Sequence, residues 1–315
     1  MGYHPRIESE ELASLATIRS RNSEVWLINN IGLEEAVLGY AAKYGSRYGV
    51  KLYALGIEGN HIHSLGRYPN SNRAGFQRDF NSSVARAIPR YVKEYPGGKL
   101  WARRYSSEFV PDPEDIEEYF FYIVLQPVKD GLVEKISEYP GYNCFSDAVR
   151  GIKRKFKVVN WAAYNDRRRW DLTAKLKDFI EVVELKFERL PGYEDMEAKE
   201  YKDLMHRKLE ERRLKIVAKR GKPAAGVSVI KSKRPGSLPH RTKKSNILSH
   251  RPRILCVSNE RRAAYKTWYF DIYFSYKDCS QRFRQGDMNV KFPPGTYRPP
   301  TFTCKALPVE MQILD

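Results

Sequence analysis

The order of strand-like and helix-like patterns in the first half of the chain constrains its fold most strongly. Residues 50–57 and 61–67 read as two strands, and the Gly-Asn pair between them is a turn signal. Apolar residues at helical spacing precede this hairpin at 33–48, and a mainly helical stretch follows it at 72–94. A hairpin flanked by helices in this way predicts a sheet with helices packed on it.

The remaining elements of this half extend the same pattern. Residues 15–28 read as one or two strands, and 105–110 as a short strand. A further helix is predicted to start at Pro113, where acidic residues suit a helix N-terminus, and to run through Gln126. The order of strand, helix, two strands, helix, strand and helix predicts an α+β domain with an antiparallel sheet.

Composition changes after this domain. Residues 172–220 read as largely helical, with a break at Pro191-Gly192. Residues 219–253 contain eleven Lys or Arg and no Asp or Glu, which indicates a basic linker or arm that is extended unless bound and that contacts nucleic acid. We therefore predict four segments: 1–150, the α+β domain; 151–218, a helical, charged region; 219–253, the basic arm; and 254–315, an aromatic-rich C-terminal subdomain.

The charge of the chain indicates a polyanionic partner. The formal net charge is +18 and the pI is about 9.6. Lys and Arg that neutralise phosphates gain from counterion release, and bases stack on aromatic side chains, which make up 13% of the residues. Nucleic acid is therefore the predicted partner, ahead of the alternative that the chain is simply a basic protein.

Cysteine usage and hydropathy exclude several classes of protein. The four cysteines lie far apart and form no C-x-x-C motif: Cys144, Cys256, Cys279 and Cys304. This spacing indicates neither a zinc ribbon nor a disulfide framework. The N-terminal residues lack the apolar run of a signal peptide, and no stretch approaches the roughly 20 apolar residues of a membrane span. We expect a reduced, cytoplasmic protein without a membrane partner.

The histidine pair His61-Ile62-His63 lies on the second strand of the hairpin. Side chains alternate along a strand, so both imidazoles should share one face while Ile62 enters the core on the other. Two imidazoles on one face suit a divalent metal. The pair alone is a weak signal, because two surface histidines on a strand would look the same. A catalytic metal needs a further ligand.

The helix pattern EEYFFYIVLQP offers a further ligand and a nucleophile. Tyr122 and Gln126 are four residues apart, one helical turn on the same face. The Gln126 amide oxygen can bind a metal, and the Tyr122 phenolate can attack a phosphate. Pro127 should end or bend the helix. Without the histidines, ordinary core packing of Tyr122 would be the favoured interpretation.

Three motifs together resemble the HUH single-tyrosine transposases: EGNHIHSLG, WARRYSSEF and YIVLQPVKDGLV. The resemblance is closest to the REP-associated tyrosine transposases and related single-strand insertion-sequence transposases. That family carries Pro-Asn-His-hydrophobic-His on a hairpin, and on a helix a Tyr followed four residues later by Asn or Gln and then Pro-Val-Lys-x-Gly-Leu-Val. This chain has Tyr122, Gln126 and PVKDGLV in those places, and Gly59 where proline is usual. The likeness covers residues 10–160.

The resemblance implies a metal-dependent nuclease and strand transferase acting on single-stranded DNA at hairpins. His61, His63 and Gln126 would bind Mg²⁺ or Mn²⁺, with imidazole slightly favouring Mn²⁺. Tyr122 would attack the scissile phosphate, leaving a 5′-phosphotyrosine and a free 3′-hydroxyl, so that rejoining needs no ATP. The implied fold is a ferredoxin/RRM-like HUH nuclease domain at 1–150, followed by a basic, largely helical C-terminal extension. The implied setting is bacterial and nucleoid-associated.

Several alternatives stay open at this point. Tyr119 and Tyr105 are rival nucleophiles. A relaxase or replication initiator with HUH chemistry and a non-catalytic DNA-binding protein on the same fold are alternative functions. A zinc hydrolase is disfavoured, because no H-E-x-x-H motif or carboxylate cluster accompanies the histidines. The resemblance leaves the choice between monomer and dimer open.

Basic side chains near the predicted site are candidate DNA contacts, as are two in the basic arm. They are Arg73, Arg78, Arg103, Arg104, Lys129, Lys243 and Lys244. In the C-terminal subdomain a further stripe lies at helical spacing and comprises Tyr265, Trp268, Ile272 and Tyr276. Aromatic stripes usually bury, so core packing is predicted for it ahead of a base-stacking platform.

Overall fold

The structure is a computed structural model that describes residues 6–239 and 253–300. The strands are β1 (Ala13–Arg19), β2 (Lys51–Glu58), β3 (His61–Arg67), β4 (Ser106–Val110), β5 (Arg154–Val159) and β6 (Ile180–Leu185). The first six helices are α1 (Ile31–Tyr48), α2 (Arg73–Tyr91), α3 (Pro113–Val124), α4 (Gln126–Lys129), α5 (Phe145–Arg150) and α6 (Trp161–Arg168). The last three are α7 (Ala198–Arg220), α8 (Val227–Lys231) and α9 (Asn259–Arg284).

Four strands form the central sheet, in the order β2-β3-β1-β4, and all of its neighbouring pairs are antiparallel. The chain order β1-α1-β2-β3-α2-β4 with this strand order is the ferredoxin-like arrangement. The predicted α+β fold class, with an antiparallel sheet and packed helices, is therefore confirmed.

Helices cover both faces of this sheet. On one face, the Gln77 amide of α2 donates a hydrogen bond of 2.9 Å to the Ser64 hydroxyl of β3. Ile62 lies on the same face as Ser64, two residues away, and is 2% exposed, as the alternation predicted. The histidine pair therefore lies on the opposite face, which α3 covers.

Gly56 of β2 lets α3 approach the sheet closely. A Cβ at this position would lie 2.8 Å from Cγ2 of Ile123 and 3.9 Å from Cβ of His63. Contacts under about 3 Å between carbon atoms are repulsive, so a side chain here would push α3 outward. The absence of a side chain at Gly56 thus sets the distance between α3 and β3.

A second, two-stranded sheet pairs β5 with β6 and packs on α1. A Cβ at Gly39 of α1 would come within 2.7 Å of Cγ2 of Val158, so these elements are also in close contact. The prediction that 172–220 is largely helical is wrong for 180–185, which forms β6, and is confirmed for 198–220. The short strand IEVVEL carries β-branched residues that pair with β5.

The first part of the predicted basic arm packs on the domain instead of extending from it. The amide of Gly236 donates to the carbonyl of Val25 (2.8 Å), and the amide of Val25 donates to the carbonyl of Ser237 (2.9 Å). The amide of Ala225 likewise donates to the carbonyl of Gly131 (2.8 Å). The expectation of an extended arm is therefore wrong for residues 222–239, whereas 240–252 lie outside the described residues.

The described chain divides into two compact units, residues 9–266 and a smaller unit of 6–8 with 267–300. In the smaller unit, Cys279, Phe283 and Val290 form a buried cluster. Tyr276, a member of the predicted aromatic stripe, packs on Phe292 with ring centroids 5.8 Å apart. The four predicted segments (1–150, 151–218, 219–253 and 254–315) stay predictions. None of the described helices combines the length and the apolarity needed to cross a membrane.

We expect Gly56→Ala to destabilise the protein by about 1–3 kcal/mol, the usual cost of overpacking, because its Cβ would collide with Ile123. Urea unfolding measures this loss. Gly45→Ala in α1 is the matched control: apart from its chain neighbours and the backbone of its own helix, no described atom lies within 4 Å of its added Cβ, so it should gain roughly 0.5–1 kcal/mol from helix propensity. Equal unfolding midpoints for Gly56→Ala and wild type would contradict the close approach of α3.

Candidate metal and nucleophile site

Strand β3 places both histidines of the predicted pair on the sheet face that α3 covers. His61 pairs with Glu58 across the hairpin. His63 pairs with Gly56 of β2 and with Thr17 of β1. The two residues are 2% and 5% exposed, and their ring centroids lie 4.7 Å apart. They are therefore buried neighbours rather than two surface histidines.

Hydrogen bonds at Nδ1 orient both imidazoles. Nδ1 of His61 lies 2.7 Å from Oδ1 of Asn60, whose own amide nitrogen donates to the carbonyl of Ser23 (3.0 Å). Nδ1 of His61 therefore carries the proton. Nδ1 of His63 lies 2.8 Å from the Thr17 hydroxyl. Within the described residues neither Nε2 atom has a hydrogen-bond partner, so both are available as metal ligands.

Burial keeps both imidazoles neutral. Desolvation, helped by the charges of Arg19 and Lys129, lowers the pKa of His63 to about 3. Desolvation, His63 and Arg19 together hold the pKa of His61 well below its ordinary value. A neutral imidazole is the form that binds a metal, so the pair is ready to bind one at neutral pH.

The chain breaks its helix between the proposed nucleophile and the proposed third ligand. α3 ends at Val124 and α4 begins at Gln126, so the prediction of one helix through Gln126 is wrong by two residues. Leu125 between them has φ −92° and ψ 2°. The expected effect of Pro127 is confirmed: it ends α3 and is tolerated in the first turn of α4, where its missing N–H costs nothing.

Gln126 is buried and only partly satisfied. Its amide nitrogen lies 3.2 Å from each carboxylate oxygen of Asp130. Its amide oxygen is buried and has no hydrogen-bond partner within the described residues. Because the nitrogen is held by Asp130, the oxygen is the atom left for a cation.

Tyr122 lies against the histidine pair. Its ring centroid is 5.8 Å from that of His63, and the Lys129 ammonium lies 4.4 Å from the centroid of the Tyr122 ring. Burial, followed by the charges of Asp130 and Glu58, raises the pKa of Tyr122. The phenol is therefore protonated at neutral pH, and a cation beside it is needed to favour the phenolate.

Of the two rival tyrosines, Tyr119 packs against Tyr122. Tyr119 is half-buried one turn earlier on α3, with its ring centroid 6.0 Å from that of Tyr122. Burial raises its pKa as well. Tyr105 is buried immediately before β4. The assignment of Tyr122 as nucleophile therefore stays a prediction.

Sequence reasoning missed two carboxylates, Glu58 and Asp130. Glu58 is 6% exposed, and its Oε2 lies 3.7 Å from Nε2 of His61. Burial, followed by the charge of Asp130, raises the pKa of Glu58 to about 8. One signal could have found Glu58: it directly precedes the two-residue Gly59-Asn60 turn, which places it opposite His61.

The structure argues against one predicted DNA contact. Arg73 is 4% exposed and donates a 2.6 Å hydrogen bond to the Ser14 hydroxyl of β1. Its guanidinium also lies 5.1 Å from the centroid of the Phe109 ring. A guanidinium buried against the sheet is poorly placed to reach a phosphate, but DNA binding by Arg73 is not tested and stays a prediction.

The other predicted DNA contacts have different surroundings. Four of them are exposed: Arg78, Arg103, Arg104 and Lys129. Arg78 is already paired with Asp79, with Nε 2.8 Å from Oδ1. Lys243 and Lys244 lie outside the described residues. DNA binding by these six residues stays a prediction.

A separate group of metal-capable side chains comprises Asp112, Asp115 and Cys256, whose ligand atoms lie within 4.8 Å of one another. This chemistry is compatible with a divalent cation. However, both carboxylates have structural partners: they form a capping box at the start of α3, and the Val257 amide donates to Asp115 (2.6 Å). Arg261 lies 3.4 Å from Asp112. None of the predicted metal ligands belongs to this group.

Comparison with known proteins identifies a transposase relative. No family model matches the chain. Over 128 residues it is 24% identical to a Haemophilus influenzae protein assigned as a REP-associated tyrosine transposase, covering 38% of this chain and 70% of the relative. This relative confirms the resemblance that the motifs predicted.

Two solved structures have lower overall similarity. A REP-associated tyrosine transposase bound to a REP hairpin matches 45% of this chain and 81% of its own, with 17% identity and a TM-score of 0.39. A Deinococcus radiodurans protein assigned as a transposase matches 38% of this chain and 92% of its own, with 20% identity and a TM-score of 0.27.

We expect His63 to make the metal-free protein less stable at acid pH. Between the folded pKa of about 3 and the ordinary value of 6.5, the unfolded chain binds one more proton at His63. The unfolding free energy should therefore fall as the pH falls below 6.5, by about 1.4 kcal/mol per pH unit. From pH 7 to pH 5, wild type should lose about 2 kcal/mol more than His63→Gln.

Urea unfolding in EDTA at the two pH values measures this difference. His206→Gln, at an exposed position of α7, is the matched control and should keep the wild-type pH dependence. If His63→Gln and wild type lose equal stability between pH 7 and pH 5, the His63 imidazole is not held neutral by burial.

Proposed function

We propose that this protein is a transposase, or a transposase-derived endonuclease, that cleaves and rejoins single-stranded DNA at hairpins. Tyr122 is the proposed nucleophile, and the intermediate is a 5′-phosphotyrosine. His61, His63 and Gln126 are the proposed ligands of a divalent metal, Mg²⁺ or Mn²⁺. The reaction is assigned to the domain at 1–150, and the resemblance to REP-associated tyrosine transposases underlies the choice of substrate.

One observation carries the proposal: within the described residues, three buried ligand atoms have no hydrogen-bond partner, and one of them belongs to His63, whose ring packs on Tyr122. They are Nε2 of His61, Nε2 of His63 and Oε1 of Gln126. Burying polar atoms without partners costs free energy, and a bound cation would offset this cost. Two neutral imidazoles and an amide oxygen are a donor set that Mn²⁺ or Mg²⁺ accepts. The residues therefore fit the metal that the resemblance implies.

The chemistry divides between the metal and the chain. When bound, a divalent ion supplies Lewis-acid polarisation of a non-bridging phosphate oxygen. The Tyr122 oxygen forms a bond to phosphorus, and the bond from phosphorus to the 3′ oxygen breaks. The phenolic proton is lost and the leaving 3′ oxygen gains one, so the products are a phosphotyrosine and a 3′-hydroxyl. Attack of a 3′-hydroxyl on the same linkage reverses these steps and rejoins a strand.

Lys129 has a supporting role in this proposal. Its ammonium lies 4.4 Å from the centroid of the Tyr122 ring. Burial and two carboxylates disfavour the phenolate at Tyr122. A positive charge at this distance favours both the phenolate and an incoming phosphate.

The surface charge supports a nucleic-acid substrate. The net charge of +18 favours phosphate binding through counterion release, and Arg103 and Arg104 are exposed beside Trp101. Single-stranded DNA also offers bases that stack on aromatic side chains. A hairpin would present both a duplex stem and unpaired bases to this surface.

We expect wild type to form a covalent protein–DNA adduct and Tyr122→Phe to form none, because phenylalanine lacks the attacking oxygen. Single-stranded hairpin oligonucleotides incubated with Mn²⁺ or Mg²⁺, followed by denaturing electrophoresis, measure the adduct. Tyr119→Phe is the matched control one turn away and should still form it.

Three outcomes would contradict this assignment. An adduct with Tyr122→Phe would mean that another residue is the nucleophile. Binding of the hairpin by wild type without any adduct would favour a non-catalytic DNA-binding protein. A preference for fully duplex DNA would contradict the single-strand substrate.

We expect Lys129→Gln to slow adduct formation by about tenfold, the scale of one charged group near a reacting oxygen, while Mn²⁺ affinity changes little. Single-turnover rates of adduct formation measure this effect. Lys135→Gln, an exposed position a few residues further along the chain, is the control and should react at the wild-type rate. If Lys129→Gln also reacts at the wild-type rate, its charge does not assist Tyr122.

A further inference from the structure

Glu58 occupies a place beside the proposed metal ligands that the family resemblance does not assign. It is the last residue of β2 and pairs with His61 across the hairpin. Directly paired residues of an antiparallel ladder have side chains on the same face. Glu58 therefore lies on the α3 side of the sheet, together with both histidines.

The distance between Glu58 and His61 suits two ligands of one ion. Oε2 of Glu58 lies 3.7 Å from Nε2 of His61. Two atoms that bind the same cation can be no further apart than the sum of two metal–ligand bonds, about 4.2 Å. The measured separation is within this limit and is longer than a hydrogen bond.

The burial of Glu58 is costly without a cation. The residue is 6% exposed, and its Oε1 atom has no hydrogen-bond partner among the described residues. Buried carboxylates are normally paired, hydrogen-bonded or bound to a metal. The described neighbours of Glu58 include the neutral imidazole of His61, which is itself a proposed ligand, and a second carboxylate, Asp130.

We infer that Glu58 is a fourth protein ligand of the proposed metal, beside His61, His63 and Gln126. The inference rests on the proposed function. The other three ligands are neutral, so Glu58 would supply the one negative charge of the set. A carboxylate adds a hard oxygen donor, which favours Mn²⁺ and Mg²⁺ over softer cations.

Mn²⁺ binding to the full-length protein without DNA tests this inference, because it needs no catalysis. Electron paramagnetic resonance of free Mn²⁺ gives the dissociation constant. We expect Glu58→Gln, which keeps the shape of the side chain, to weaken Mn²⁺ binding by about tenfold or more. Glu58→Asp keeps the charge but shortens the side chain, so its Mn²⁺ affinity should lie between those of wild type and Glu58→Gln.

The matched control is Glu108→Gln. Glu108 is a second buried carboxylate, on β4 opposite Leu15, and it lies on the same sheet face. Its variant should bind Mn²⁺ with wild-type affinity. Circular dichroism and thermal unfolding in EDTA verify that each variant is folded before its affinity is compared.

The outcomes separate this inference from the proposed function. Wild-type Mn²⁺ affinity in Glu58→Gln, with binding lost in His61→Ala, overturns the role of Glu58 and leaves the three-ligand site intact. If Glu58→Gln in addition slows adduct formation, Glu58 acts on Tyr122 instead of on the metal. Wild-type affinity in both His61→Ala and Glu58→Gln overturns the inference together with the proposed metal site.

Discussion

The contact between α3 and the sheet at Gly56 is the constraint on which the candidate site depends. Ile123 fits where a Cβ would otherwise stand, and Tyr122, the residue before it, packs on His63. A helix one side chain further out would leave the histidine pair facing solvent or a cavity. The same close packing that contributes to the core therefore sets the distance between nucleophile and strand.

The polar side chains between α3 and the sheet are costly to bury, and hydrogen bonds offset only part of that cost. Asn60 and Thr17 satisfy one nitrogen of each imidazole, and Asp130 satisfies the nitrogen of Gln126. Within the described residues, the other nitrogen of each imidazole and the amide oxygen of Gln126 have no hydrogen-bond partner. A fold selected for stability alone would use apolar side chains here. Buried polar atoms that lower the stability of the fold are typical of a functional site.

Much of the fold could be predicted because its signals are local. The hairpin, the helices around it and the shared face of the histidines follow from turn residues and periodicity. β6 was missed because a short strand in a charged region differs little from a helix in its pattern. The burial of Arg73 was not predicted, because charged residues early in a helix are usually exposed, whereas this one hydrogen-bonds to Ser14 of β1. Glu58 was missed because its surroundings include residues from a distant part of the chain, such as Asp130.

The break between α3 and α4 also bears on how such a site can be tuned. In one continuous helix, the rise per residue would fix the spacing between Tyr122 and Gln126. Here the backbone torsions of Leu125 set it instead. Leu125 is a joint between two rigid pieces, one bearing the nucleophile and the other a ligand. Small changes in the torsions of that single residue would change the position of Tyr122 relative to Gln126 and so suit a different DNA strand. The packing of α3 and α4 on the domain would stay unchanged.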